Sequence, residues 1–318
     1  MAENKSAFSL FSTLTLTGGR IPKPITLSRA ESFPACRFNH TRGKFQNRLG
    51  GWKAADVPKH CGHLTLKLGE RLGSGRSGWV YEVEAVSIHP PQGRTAPPIL
   101  HAKSALCIKI ARPNRCRTLA REAWVYERLP EPDWQGVITP RVYGFFTTTL
   151  PPNPAAHPPW YRHHYHGSSL ESDDPTRDEQ TSPVPSDDDP TRDDDLPDDE
   201  PKESYGEPGP GARELSEWLD WHPNPDAPLL SVLLMSRGGP AYSVADDDHD
   251  TKTLHDIAMI LEDLSFSAIL HEDIRPPNLL RAPADTQECP RHKCIHRWNL
   301  VDFPWSVVDE RSQERGRD

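Results

Sequence analysis

The sequence has few apolar residues for its length and no long apolar run. Hydrophobic residues occupy 35% of its 318 positions, and no stretch approaches the roughly 18 apolar residues that a transmembrane helix needs. The N-terminal part also lacks the apolar core of a secretory signal. Membrane spanning, membrane partners and secretion are therefore not expected.

Cysteine is also scarce, with six widely spaced residues. In a chain without a secretory signal they are predicted to be reduced thiols, which favours the cytoplasm or nucleus. The Ser/Thr-rich N-terminus carries Arg20, Lys23 and Arg29, as a mitochondrial transit peptide would. Glu3 and Glu31 argue against that alternative, because such peptides are poor in acidic residues.

Proline is abundant, with 34 residues, which predicts that a good part of the chain is unpacked. Residues 1–60 are poor in aliphatic runs and are predicted to form a disordered N-terminal extension. Residues 150–228 are predicted to be a disordered, acidic, Pro-rich insertion, and 171–203 alone hold 15 acidic and 3 basic residues. The net charge of −9 therefore comes from one segment, and no specific nucleic-acid partner is expected.

A glycine-rich segment lies between two strand patterns. Residues 73–80 read Gly-Ser-Gly-Arg-Ser-Gly-Trp-Val, which places glycines at 73, 75 and 78 and a valine at 80. Glycines at this spacing let the backbone approach phosphate groups closely. The alternative is a glycine-rich hairpin turn without a ligand.

One lysine interrupts an apolar strand pattern. Lys109 lies within 105–110, and a buried cation needs an anion beside it. The following helical pattern, 117–129, supplies Glu122, with Glu127 as a second choice. The alternatives are a solvent-facing lysine on an edge strand and a solvent-facing helix carboxylate.

Residues 271–278 read His-Glu-Asp-Ile-Arg-Pro-Pro-Asn after a helical pattern over 253–269. Asp273 and Asn278 suit phosphoryl transfer, in which a carboxylate receives the hydroxyl proton and an amide oxygen binds Mg²⁺. A third acidic group, Asp302, ends a short strand and is followed by Phe303 and Pro304.

Taken in order, these segments resemble the motifs of the protein kinase superfamily, as a divergent member with a shortened C-lobe. The resemblance implies that Lys109 and Glu122 set the phosphates and that Asp273 positions the acceptor. It also implies that Asn278 and Asp302 hold Mg²⁺, with Arg275 near the γ-phosphate. By the same resemblance 142–146 and 229–235 are strands four and five. The ATP-binding residues it implies are Gly73, Gly75, Gly78, Val80, Lys109 and Met235.

The implied fold is α+β: two lobes, a mainly antiparallel N-lobe sheet and a reduced helical C-lobe. The N-lobe would span 61–235, around the insertion, and the truncated C-lobe with the catalytic loop 236–318. The chain ends 16 residues after Asp302, so the usual activation segment is not in this sequence. The third position of the Asp-Phe-Gly-like element is Pro304 instead of glycine. Because proline fixes φ, a conformational flip of this element is not expected.

The implied function is an ATP-binding phosphotransferase that moves the γ-phosphate to a hydroxyl, expected to be Ser or Thr of a protein. A small-molecule acceptor remains open, because the usual substrate-holding helices are missing. A nucleotide-binding pseudokinase or scaffold is the main alternative, and an incomplete product without activity is another. ATP and Mg²⁺ are the expected cofactors.

Cys289, His292, Cys294 and His296 lie within eight residues. Zinc sites usually combine two ligand pairs separated by a longer loop. A polar loop is therefore the expectation here, with zinc as the alternative.

Overall fold

The computed structural model describes residues 7–18, 21–34, 37–38, 54–59, 61–90, 106–129, 134–152, 215–247 and 249–309. Strands dominate this part of the chain. They are β1 (Phe11–Thr17), β2 (Ile25–Arg29), β3 (Arg37–Phe38), β4 (Gly62–Ser74), β5 (Gly78–His89), β6 (Leu106–Ala111), β7 (Val142–Thr149), β8 (Leu229–Ser236), β9 (Ile269–Leu270), β10 (Leu279–Arg281), β11 (Trp298–Leu300) and β12 (Val307–Asp309). The helices are α1 (Cys116–Arg128), α2 (Val244–Asp247) and α3 (Thr251–Phe266).

Seven strands form a closed barrel in the order β1, β2, β7, β8, β6, β5, β4. The barrel closes where β1 pairs in parallel with β4, and its other strand pairs are antiparallel. Leu14 of β1 lies opposite Leu64 of β4, and both are fully buried. Closure leaves no unpaired edge strand, which removes a row of open hydrogen-bonding groups.

The two faces of β8 explain its continuous apolar run. Leu230, Val232 and Leu234 point into the barrel core. Leu233 and Met235 belong to a second core outside the barrel, together with residues of α1. A strand with both faces covered needs no polar face, and six of the eight residues of β8 are apolar.

Helix α1 packs against β8 and is buried over most of its length, from Cys116 to Tyr126. Its basic side chain Arg121 is fully buried and donates from Nη2 to the carbonyl of Ser306 at 3.0 Å. Helix α3 begins after Asp250, whose side chain accepts from the backbone N–H of Lys252 at 3.0 Å and so caps the helix. Helix α3 contacts β11 of the two-stranded sheet formed by β10 and β11. It also contacts β9 of the small sheet formed by β3, β12 and β9.

The prediction of a two-lobed α+β fold similar to the protein kinase superfamily is wrong. The observed chain is strand-dominated, with a closed seven-stranded barrel. Within the described residues only α1 and α3 exceed one helical turn, so there is no helical lobe in that part of the chain. The sheet closes because β1 and β2 bridge β4 and β7.

Those two strands come from the segment that the sequence assigned to a disordered extension, residues 1–60. In β1, leucine alternates with threonine, and the leucines point into the barrel core. The acidic insertion was predicted over 150–228, and most of that range, 153–214, lies outside the described residues. Trp218, near its end, is 8% exposed and packs beside Phe145 with ring centroids 5.8 Å apart.

Among the described residues, no helix combines the length and the apolar character required to cross a membrane.

Candidate functional site

A cleft of about 570 Å³ opens between the β4–β5 turn and the segment that carries β10. Its size is within the range of small-molecule sites. The glycine-rich turn covers one side, and Leu280 lies on the other. Lys109, Asn278 and Asp302 provide its polar wall. The cleft thus combines apolar surface with a few converging charges.

The glycine-rich turn is tight, because the N–H of Gly75 donates to the carbonyl of Gly78 at 2.9 Å. Gly78 is required by packing: a Cβ there would lie 2.2 Å from the carbonyl oxygen of Ile110 in β6. A Cβ at Gly73 or Gly75 would meet no atom of the described residues within 4 Å. These two glycines therefore face open space in the cleft, where a ligand can approach the backbone.

Lys109 joins the two sides of the cleft wall. It lies on β6 and is 7% exposed. Its Nζ is 2.6 Å from Oε2 of Glu122, on α1, and 2.6 Å from Oδ1 of Asp302, which follows β11. One buried cation thus connects the barrel, helix α1 and the segment after β11.

Burial and charge act in opposite directions on this triad. Burial alone lowers the pKa of Lys109, but the charges of Asp302 and Glu122 outweigh burial, and its pKa is raised. Burial alone would raise the pKa of Asp302. The positive charge of Lys109, with a smaller contribution from Arg275, instead lowers that pKa below its ordinary value. Burial raises the pKa of Glu122, and Lys109 opposes that shift. Asp302 is therefore held as a carboxylate.

The segment after β9 places Asp273 beside Asn278. Nδ2 of Asn278 donates to the backbone carbonyl of Asp273 at 2.9 Å and to its Oδ2 at 3.2 Å. This contact does not use the side-chain oxygen of Asn278, which remains the atom suited to a metal ion. The backbone carbonyl of Asn278 accepts from Val301 at 2.9 Å, which ties the segment to the residue before Asp302.

Arg275 contacts both carboxylates. Its Nη2 is 3.2 Å from Oδ2 of Asp273 and 3.7 Å from Oδ2 of Asp302. Because one guanidinium nitrogen reaches both oxygens, the two aspartates face the same side of the cleft. The Arg275 side chain is 53% exposed, so it is free enough to exchange these partners for a ligand.

His271 and Phe303 support the two segments that carry Asp273 and Asp302. The sequence motifs had assigned no role to either residue. Nδ1 of His271 accepts from the backbone N–H of Asp273 at 3.3 Å, and Nε2 faces the carbonyl of Val301 at 3.0 Å. Burial lowers the pKa of His271, which suits the neutral form that these contacts require. The buried ring of Phe303 packs against His271 at 4.7 Å and Tyr126 at 5.0 Å. Asp302, at φ 71°, is held between these anchored neighbours.

The structure brings together ten of the eleven site residues that the motifs indicated. The exception, Asp273, lies next to the cleft wall rather than in it and is linked to it by Asn278 and Arg275. Glu127, the second choice for Lys109, is occupied elsewhere by Ser32 Oγ at 2.8 Å and the N–H of Ala55 at 3.0 Å. The residues lining the cleft are Gly73, Gly75, Gly78, Val80, Lys109, Glu122, Met235, Arg275, Asn278 and Asp302.

A basic crevice next to Asp302 was not indicated by any sequence motif. Arg76, Arg115 and Arg275 line it together with Trp305, and the guanidinium of Arg76 lies 4.5 Å from the Trp305 ring centre. Arg115 is 4% exposed. Its position before α1 has no pattern that distinguishes it from other arginines, so only the fold reveals it.

The cleft is lined by two carboxylates, on Glu122 and Asp302, and by two cations, on Lys109 and Arg275, and the carboxylate of Asp273 lies beside its wall. Lysine and arginine suit phosphate oxygens, whereas a carboxylate beside an amide oxygen suits a hard divalent cation. The arrangement can therefore bind a metal–polyphosphate pair. The chain matches no known protein-family model, and no curated protein matches it.

Proposed function

We propose that this chain binds ATP with Mg²⁺ in the cleft and transfers the γ-phosphoryl group to a hydroxyl acceptor. The observation that carries the proposal is Lys109, buried at the cleft and 2.6 Å from each of two carboxylates, opposite an open glycine turn. A cation fixed in this way is preorganised for phosphate, because its orientation is set before the ligand arrives.

The apolar part of the cleft suits a purine ring. Val80 on β5, Met235 at the end of β8 and Leu280 on β10 line it. Gly73 and Gly75 leave space for phosphate oxygens near the backbone, and Lys109 supplies the positive charge. Asn278 and Asp302 would hold Mg²⁺, which neutralises phosphate charge when bound.

In the reaction, the acceptor oxygen forms a bond to the γ-phosphorus while the bond from that phosphorus to the β–γ bridging oxygen breaks, releasing ADP. Asp273 receives the proton of the acceptor hydroxyl. Arg275, which already reaches Asp273 and Asp302, is placed to stabilise the charge on the transferred group. The basic crevice of Arg76 and Arg115 favours an acceptor with acidic neighbours, and a Ser or Thr side chain of a protein fits this proposal.

Nucleotide binding without transfer is the second candidate. It is favoured by the contacts of Asp273, whose Oδ2 is 3.2 Å from both Asn278 Nδ2 and Arg275 Nη2. Both donors contact the same oxygen, so an acceptor hydroxyl must compete with them at Oδ2 or use Oδ1.

Two measurements on the full chain separate the candidates. ATP with Mg²⁺ should raise the melting temperature of the wild type and of Asp273→Asn, but not of Lys109→Met. The control for the lysine change is Lys67→Met, at an exposed lysine of β4, which should respond as the wild type does. If Lys109→Met responds to ATP normally, the proposed nucleotide site is wrong.

Transfer is then followed with labelled ATP and mixed acceptors, comprising casein-like acidic proteins and small polyols. Asp273→Asn should lower transfer by about 100-fold or more, the usual effect of losing a general base. Asp285→Asn, at an exposed loop position, is the matched control. Binding with no transfer by the wild type would establish the second candidate, and the labelled acceptor class would identify the substrate.

The proposal also includes a cytoplasmic or nuclear location, where ATP and Mg²⁺ are abundant. The five described cysteines, which are all free thiols, support it.

A further inference from the structure

A second cluster of polar side chains lies outside the cleft, between α3 and the connection from β10 to β11. It consists of Asp263 on α3 and of Cys289, His292 and His296 in that connection. One ligand atom from each residue lies within 4.8 Å of every other. We propose that these four side chains form a structural zinc site.

Four of the six distances between the ligand atoms are close to those of a tetrahedron around zinc, and all six are at most 4.8 Å. With bonds of about 2.3 Å to sulfur and about 2.0–2.1 Å to nitrogen or oxygen, tetrahedral ligands lie about 3.3–3.6 Å apart. Oδ2 of Asp263 is 3.1 Å from Sγ of Cys289, 3.2 Å from Nδ1 of His292 and 3.4 Å from Nε2 of His296. Sγ of Cys289 is 3.7 Å from Nδ1 of His292.

One ligand atom is without a hydrogen bond. His296 is 1% exposed, and among the described residues its buried Nε2 has no hydrogen-bond partner, although it is aimed into the cluster. Leaving a buried ring nitrogen unsatisfied is costly, and a metal ion at this position would satisfy it. The other ring nitrogen, Nδ1, is 2.7 Å from Oδ1 of Asp256. A carboxylate in this place fixes the tautomer that presents Nε2 to a metal.

The neighbouring groups support the remaining ligands. Nη1 of Arg291 contacts Oδ1 of Asp263 at 2.7 Å, which leaves Oδ2 for the metal. The backbone N–H of His292 donates to Sγ of Cys289 at 3.4 Å, a contact that stabilises a thiolate. One thiolate, one carboxylate and two neutral imidazoles balance the charge of Zn²⁺.

The site is closed, which indicates a structural role. The side chains of Asp263 and His296 are fully buried, and His292 is 16% exposed. Four protein ligands leave no position for water or substrate. Zinc at this site would fasten the connection between β10 and β11 to α3. Zinc was disfavoured in the sequence because four ligands within 289–296 would be too tightly spaced. In the structure the fourth ligand is Asp263 instead of Cys294, and Asp263 lies 26 residues before Cys289.

The test uses the full chain, expressed without a histidine tag and purified without chelator. Metal analysis should find about one zinc per chain. After zinc removal, Co²⁺ should give the strong visible absorption of tetrahedral coordination together with a thiolate-to-cobalt charge-transfer band. Both results use the native chain, so they stand even if a variant fails to fold.

Cys289→Ser and Cys294→Ser form the matched pair of variants. Cys289→Ser should weaken zinc binding at least about tenfold and remove the charge-transfer band, whereas Cys294→Ser should keep both. The inference is overturned if the native chain holds no zinc and gives no tetrahedral cobalt spectrum. It is equally overturned if Cys294→Ser loses the metal as fully as Cys289→Ser does. Nucleotide binding is not part of any of these measurements, so the outcome is independent of the proposed function.

Discussion

Replacing Lys109 by methionine should destabilise the fold, apart from any effect on a ligand. The substitution removes the cation between Glu122 and Asp302 and leaves two carboxylates in a buried setting. Breaking a buried ion pair from one side costs about 3–5 kcal/mol. Asp302 is 22% exposed at its side chain and keeps Arg275 nearby, so we expect the lower end, about 3 kcal/mol.

The expected loss corresponds to a fall in melting temperature of roughly 6–12 °C. Urea unfolding followed by tryptophan fluorescence measures it, with Lys67→Met as a control that should unfold with the wild type. Without Lys109 the main influence that opposes the effect of burial on Glu122 is lost, so its pKa should rise further and the carboxyl should become neutral.

Adding Glu122→Gln to Lys109→Met should therefore recover part of the stability, because it replaces a buried acid by a neutral group of similar shape. The reasoning is refuted if Lys109→Met unfolds at the wild-type urea concentration. It is also refuted if the double variant is less stable than Lys109→Met by the full cost of Glu122→Gln alone.

Two further predictions concern the glycine turn and Asp302. Gly78→Ala should destabilise the chain by about 1–3 kcal/mol, because its Cβ would lie 2.2 Å from the carbonyl of Ile110. Gly75→Ala should leave the melting temperature unchanged while reducing the stabilisation by ATP with Mg²⁺, and equal melting temperatures for both variants would contradict this. Because the pKa of Asp302 is lowered, its stabilising charge is present above the ordinary aspartate pKa and lost as pH falls through the lowered value. The difference in unfolding free energy between wild type and Asp302→Asn should be constant near neutrality and shrink below about pH 4, and a difference that stays constant down to pH 2 would count against it.

The polar residues of the cleft could be selected from the sequence because they stand in short local motifs that resemble those of protein kinases. A lysine within an apolar strand needs an anion, and Glu122 lies at the helix position that supplies one. Asp273 and Asn278 stand out because a carboxylate and an amide five residues apart in one loop suit phosphoryl transfer. Local patterns of this kind can be recognised without knowing the rest of the fold.

Closure of the barrel could not be predicted from those patterns. Strand β1 has the alternation of a strand, but its partner β4 begins about 50 residues later, and no local signal specifies that pairing. Its threonines and the nearby prolines read instead as an unfolded extension. The motifs therefore indicated an open sheet with a helical lobe, whereas the long-range pairing of β1 and β2 closes the sheet.

The fourth ligand of the proposed zinc site was hidden for a related reason. Asp263 lies in an amphipathic helix, where a carboxylate usually faces solvent, yet it is fully buried. Only the packing of the connection between β10 and β11 against α3 reveals its partners.

The observed strand ends differ from the predicted ones by small amounts, as at β8, which begins at Leu229 as predicted but ends one residue later, at Ser236.

Strand β4 carries two structures at opposite ends. Its beginning pairs with β1, and its last residues lead into the glycine turn that covers the cleft. Removal of β1 would leave β4 without its parallel neighbour and expose a row of unsatisfied amide and carbonyl groups. The glycine turn at the other end of β4 would then be held less firmly over the cleft. Removal of β1 should therefore also weaken ligand binding in the cleft, because the barrel closure and the glycine turn share strand β4.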